Sequence, residues 1–166
     1  MQDLLNPIVE SPRYITLDAV VLLKDICESA CALMRHKDIH IQFESDVDYY
    51  KMAMDKHLWE KIVLRLLSNA KDYSYQGSKI HCHFHVEGEE AVLSIRDYGD
   101  NMPRNSGLEL HAVKELAELM GGEVQLIDAN PGTTVVVRTP VFFAEYVQEV
   151  MPVDDFFNAV QMELPN

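Results

Sequence analysis

The chain has 166 residues and 19.0 kDa, which is enough for one domain with a real core. Hydrophobic residues at 48% and charged residues at 25% exclude a mainly disordered chain, and no apolar run approaches the ~20 residues of a membrane span. Its 27 acids against 14 bases give −13, a field that repels a nucleic-acid backbone or an anionic membrane surface, so neither is an expected partner.

In chain order, residues 1–13 read as a polar lead-in without the basic start and apolar middle of a signal peptide. From Leu17 to Met34, Leu22, Leu23, Ile26, Cys27, Ala30, Leu33 and Met34 recur at helical spacing. Cys27 and Cys31 share that face and read as core packing. Ile39, Ile41 and Phe43 alternate as in a strand, and Tyr50–Met54 reads as a short second one. A helix follows from Asp55 to about Tyr73, with Trp59, Ile62, Leu66 and Ala70 in its buried stripe, and Gly77 breaks it. Lys79–Val86 and Ala91–Arg96 form a hairpin around Gly88. Gly107–Met120 is a third helix stopped by Gly121-Gly122, and Val124–Ile127 and Thr133–Thr139 are the last strands. Strands outnumber helices and pair as hairpins. This order predicts an α+β fold, a two-layer sandwich whose mixed, mainly antiparallel sheet is covered on one face by three helices.

The remaining charge and chemistry are unevenly placed. After Arg138 there is no Lys or Arg, while Glu145, Glu149, Asp154, Asp155 and Glu163 remain. Three cysteines are too few for a disulfide scaffold, so a reducing cytoplasm is the expected compartment. His81, His83 and His85 lie on one strand face at ~7 Å intervals, too wide for one Zn²⁺ without other ligands.

Four segments then line up in one order. Leu66-Leu67-Ser68-Asn69-Ala70-Lys71-Asp72-Tyr73-Ser74 resembles the N box of the ATP-binding domain of sensor histidine kinases. Asp97-Tyr98-Gly99-Asp100-Asn101-Met102-Pro103 resembles the G1 box, Gly107-Leu108-Glu109-Leu110 the G2 box, and Pro131-Gly132-Thr133-Thr134 the closing strand. The chain from Tyr14 to Pro140 thus resembles the histidine-kinase-type ATPase domain of the GHKL superfamily, with its Bergerat-type sandwich. Residues 1–13 are then a lead-in, 14–140 the domain, and 141–166 an acidic amphipathic extension or connector.

The resemblance implies site roles. Asn69 holds the position whose amide oxygen binds Mg²⁺, a hard cation that bridges to ATP phosphates. Asp97 holds the position that accepts a hydrogen bond from the adenine amino group. Gly99 and Gly107 let backbone approach the nucleotide, and Thr133 matches an adenine-side hydroxyl. Tyr73 reads equally as an adenine wall or as core. No catalytic residue is expected, because such kinases carry the acceptor histidine in a separate dimerisation segment.

The departures point the other way. Arg65 stands where the family has a further Asn, Asp72 where it has Lys, Asn101 and Glu109 where it has Gly. Only Arg104-Asn105-Ser106 separates Pro103 from Gly107, where the family has a long mobile lid, and so short a loop cannot close over a triphosphate. A carboxylate at Glu109 ~5 Å from a phosphate charge costs about 3 kcal/mol at an effective dielectric of about 20. The expected function is therefore a degenerate ATPase domain with weak or no ATP and Mg²⁺ binding. It would regulate or dock a phosphorelay partner such as a response-regulator receiver or a phosphotransfer domain. It would lie in the cytoplasm, alone or as the cytoplasmic part of a membrane-bound sensor. The alternatives are a working kinase catalytic domain and an anti-sigma-type kinase or switch. Arg65 weighs against the last, which resembles the family with an acid there.

Overall fold

The computed structural model describes residues 11–99, 107–129 and 131–142. The short loop expected between Pro103 and Gly107, the first ten residues and the extension beyond Phe142 lie outside them. So does the Glu109 side chain.

The chain opens with strand β1 (Ile15–Asp18), helix α1 (Ala19–Ala30) and a 3₁₀ helix (Cys31–Lys37). The spacing predicts one helix over most of this stretch, and the structure corrects that at both ends. Asp18 is the cause at the start. Its backbone is extended (φ −80°, ψ 112°), and its Oδ1 accepts the N–H groups of Val20 and of Tyr50, each at 3.0 Å. The first bond caps α1, and the second fastens β1 to the approaching strand β3 (Lys51–Met54). β1 and β3 pair antiparallel as a separate two-stranded ribbon. At the far end, tightening to 3₁₀ turns Leu33 and Cys31 outward; Leu33 is 49% exposed, so neither joins the core the spacing assigned to them. Asp38 then reverses the chain in the left-handed region at φ 54°.

The main sheet has five strands in the order β2 (His40–Ser45), β4 (Lys79–Glu87), β5 (Glu90–Asp97), β7 (Thr133–Pro140) and β6 (Glu123–Asp128). β2 runs parallel to β4 and every other neighbour is antiparallel, so the sheet is mixed and mainly antiparallel. Helices α1, α2 (Lys56–Asp72) and α3 (Gly107–Leu119) supply the second layer.

Alternation puts Ile80, Cys82 and Phe84 of β4, Leu93 and Ile95 of β5, and Val135 and Val137 of β7 into the core. They meet Leu23 and Ile26 of α1, Trp59, Ile62 and Leu66 of α2, and Val113 and Ala117 of α3. Full burial of each large side chain contributes about 1.5–3 kcal/mol. Cys27 and Cys82 face each other inside this core, and the Cys27 thiol and burial push the Cys82 thiol far up from its ordinary range.

The three histidines of β4 take the other face. Their rings stack at centroid spacings of 6.4 Å and 5.5 Å. Each Nε2 meets a carboxylate: His81 with Glu44 at 2.8 Å, His83 with Asp46 at 2.7 Å, His85 with Glu87 at 3.5 Å.

Candidate functional site

The site forms where the C-terminal turn of α2 meets the ends of β5 and β7. Asn69 and Tyr73 are four residues apart and share one flank of α2. Asn69 is buried, with 6% of its surface exposed. Tyr73 follows the last helical residue as the C-cap and packs half-buried against the core.

The end of α2 is tied down from outside. Lys37 Nζ donates to the carbonyls of Lys71 at 2.8 Å and Ser74 at 3.2 Å. A cation here satisfies carbonyls that a helix end leaves open and complements the negative end of its dipole. Ser74 Oγ donates to the Ala70 carbonyl at 2.6 Å, and the Gly77 N–H donates to the Lys37 carbonyl at 2.9 Å.

Asp97 closes β5, buried at 2% exposure and opposite Thr133 in the β5–β7 register. Its Oδ1 accepts the Gly99 N–H at 3.2 Å, and the Thr133 backbone N–H also bonds the carboxylate. Burial raises its pKa above the usual carboxylate range, while those amides, its own amide and the Arg96 guanidinium pull the other way.

Two glycines make this corner. A Cβ on Gly99 would collide with the Tyr73 carbonyl and crowd Ser74 Cα. A Cβ on Gly132, at φ +91°, would collide with the Asp97 carbonyl and crowd Tyr98 Cα. The Asp97-Tyr98-Gly99 backbone is thus pressed between α2 on one side and the β6–β7 turn on the other. Only glycine permits either approach.

Of the residues the sequence singles out, Tyr73, Asp97, Gly99 and Thr133 come together in this corner. Asn69 lies one helical turn from Tyr73. Gly107 opens α3, whose first-turn side chains are outside the described residues. Three contributors escaped the sequence reading. Gly132 falls within the closing-strand segment, where the resemblance gives it no role of its own. Lys37 acts across 34 residues of sequence and leaves no local signal. Arg96 stacks its guanidinium 4.4 Å from the Tyr98 ring and donates through Nη2 to the Pro131 carbonyl at 3.3 Å. Its i, i+2 spacing to Tyr98 at a strand end was the available hint.

A buried carboxylate at a strand end, a buried amide on a neighbouring helix and glycine-permitted backbone contact thus meet around one corner. Residues 54–142 match the histidine kinase-, DNA gyrase B- and HSP90-like ATPase family, and the chain belongs to it. It is 27% identical over 170 aligned positions to the sensor protein EvgS of Escherichia coli O157:H7, covering 86% of this chain and 14% of EvgS. The chain is thus about one seventh of that relative's length.

Among solved structures, the catalytic domain of histidine kinase ThkA superposes with a TM-score of 0.71 at 15% identity, covering 79% of this chain and 99% of that domain. Full-length ShkA in complex with AMPPNP gives 0.72 at 18% identity over 81% of this chain and 32% of ShkA. ThkA is also known in complex with the response regulator protein TrrA, matched at 0.68 and 14% identity over 76% of this chain and 41% of that one. At these identities the structures establish the fold, which is the two-layer sandwich the sequence predicts.

Proposed function

We propose that this domain keeps the scaffold of a histidine-kinase-type ATPase, binds ATP weakly or not at all, and works as a regulatory or docking module in a bacterial two-component phosphorelay. The observation that carries this reading is Asp72. It is exposed on the last residue of α2, where the resemblance implies a lysine facing phosphate. A carboxylate at a helix C-terminus opposes the dipole, at a cost of about 0.3–1 kcal/mol, so local stability does not account for it. Beside a triphosphate it would add repulsion. Glu109 and the three residues between Pro103 and Gly107 support the same direction from the sequence.

The adenine side is in better order, and that favours a second reading as a working catalytic domain. Asn69 is a buried amide, and Asp97 carries a carboxylate that burial disfavours. Perturbed groups of this kind concentrate at binding sites. In that reading Asn69 would hold Mg²⁺, and Asp97 and Thr133 would hold adenine.

Calorimetric titration with Mg-ATP and Mg-ADP separates the two. No saturable heat up to about 1 mM nucleotide is expected; a micromolar Kd would overturn the first reading. A partner is sought among receiver and phosphotransfer domains, the class suggested by the ThkA–TrrA complex. The compartment that fits is the cytoplasm, as a free domain or as part of a larger sensor. No helix among the described residues is long and apolar enough to cross a membrane.

A further inference from the structure

The main sheet has an outer face, opposite the helices, and one end of that face is cationic. Alternation puts Lys79 on it with His81, and Arg96 with Tyr98. His81 stands directly opposite Arg96, so Lys79 is the diagonal neighbour of Arg96 across the β4–β5 pair. The Tyr98 ring holds both cations: the Arg96 guanidinium lies 4.4 Å from its centroid and Lys79 Nζ 5.2 Å. Ile127 of β6 shares the Arg96 row through Thr134 and is 42% exposed.

Other bases of the fold have work within it. Arg138 meets Glu87 and Glu90, and Lys37 closes carbonyls at the end of α2. The acids beside β2 are taken, Asp38 by His40 at 3.8 Å and Glu44 by His81 at 2.8 Å. Asp97 is buried on the inner face, where the Gly99 and Thr133 amides hold it. Among the described residues, no carboxylate thus pairs with Lys79 or Arg96. Arg96 donates one N–H to the Pro131 carbonyl at 3.3 Å, and its Nε is buried without a partner among those residues. An unpaired buried donor costs free energy, so fold stability alone does not account for this arginine. In a chain of 27 acids and 14 bases, two neighbouring cations left without an acid mark an unfilled surface.

We propose that Lys79, Tyr98 and Arg96 form a docking site for an extended acidic segment of a partner protein, with carboxylates at alternate positions. Diagonal neighbours on one sheet face lie about 7–8 Å apart. Carboxylates at i and i+2 of an extended chain lie about 7 Å apart on one side. One such pair therefore meets both cations, Arg96 as a planar fork and Lys79 as a point charge. The Tyr98 ring already orders the two side chains, so less rotamer freedom is lost on binding. The strongly acidic surface elsewhere repels such a segment and confines it to basic patches. The competing patch is Lys56, Lys61 and Arg65 in the groove between α2 and α3, but Glu115 and Glu118 line that same groove. The site supplies a surface for the docking reading above, rests on it only for the class of partner, and stands whether or not ATP binds.

A hexapeptide of alternating Glu and Thr, titrated into the full-length chain at low salt and followed by NMR, tests it. The peptide reads the patch directly, so its failure is distinct from that of the docking reading, which receiver and phosphotransfer domains test. Saturable shifts are expected at Lys79, Arg96 and Tyr98. Lys79→Gln with Arg96→Gln should weaken binding about tenfold, while Lys61→Gln with Arg65→Gln in the α2–α3 groove should leave it unchanged. Should the first variant fail to fold, Lys79→Glu alone changes an exposed side chain and must still weaken binding. Absence of saturable shifts overturns the proposal, as do shifts confined to the α2–α3 groove or binding that survives the Lys79 variants. Shifts at the patch that grow with protein concentration before any peptide is added also overturn it, because the acids of a second copy would then fill the site.

Discussion

Asp97 is where burial and function pull against each other. Its folded pKa is raised, so the carboxylate is disfavoured by the fold and the neutral acid is favoured. The sign follows: this group stabilises the fold most below its unfolded value, near 3.8, and that contribution is lost as pH rises through the higher folded pKa. At neutral pH the fold carries the cost of an ionised buried acid. Asp97→Asn should therefore leave thermal stability at pH 7 unchanged or slightly higher, because an amide oxygen can still accept the Gly99 and Thr133 N–H groups. The same change replaces the second carboxylate oxygen with an NH2 donor, which cannot accept from an adenine amino group, so any Mg-ATP melting shift of the wild type should vanish in the variant. A scanning-fluorimetry comparison with and without nucleotide reads both effects. Gly99 is a stricter residue. Gly99→Ala drives a methyl into the Tyr73 carbonyl and should cost about 3 kcal/mol in urea unfolding. Gly77→Ala, with open space around it at φ +82°, should cost only about 1 kcal/mol for the left-handed backbone. Equal losses at the two sites would mean that the α2–β5 corner yields more than its packing implies.

At the scale of elements, what the sequence revealed was what local periodicity and short motifs encode. The α2 stripe, the β4–β5 hairpin and the third helix were all legible because each repeats its pattern over several residues. β1 was not. It is four residues long with no buried position, and it runs straight into a helical pattern, so only Asp18 bonding to both Val20 and Tyr50 separates them. The corner was half legible for a similar reason. Asp97, Asn69 and Gly132 all sit in motif segments, but the need for glycine at 132 comes from a contact with Asp97, 35 positions away. Lys37 is the clearest case of a long-range device. It belongs to the 3₁₀ helix yet caps α2, the element that presents Asn69 and Tyr73. Lys37→Met keeps the aliphatic stem and deletes the charge, and should cost about 1 kcal/mol. Its mark should be local, with amides of Lys71–Ser78 exchanging faster while the β4–β5 hairpin keeps its protection. Uniform acceleration across the domain would mean that Lys37 supports global stability and not this helix end.

Over the whole molecule, the charge of −13 makes a demand on stability that salt should expose. Like charges spread over a small fold repel one another, and that repulsion destabilises the compact state. Raising salt from about 0.01 M to 0.15 M shortens the screening length from about 30 Å to about 8 Å, which falls inside the dimensions of a domain this size. The melting temperature should therefore rise with salt, by about 2–4 °C if screening restores about 1 kcal/mol. Melting followed over one salt series from about 0.01 M to 0.15 M reads it. A melting temperature that stays flat across that series would mean that local pairs, such as Arg138 with Glu87 and Glu90, already balance the acidic excess.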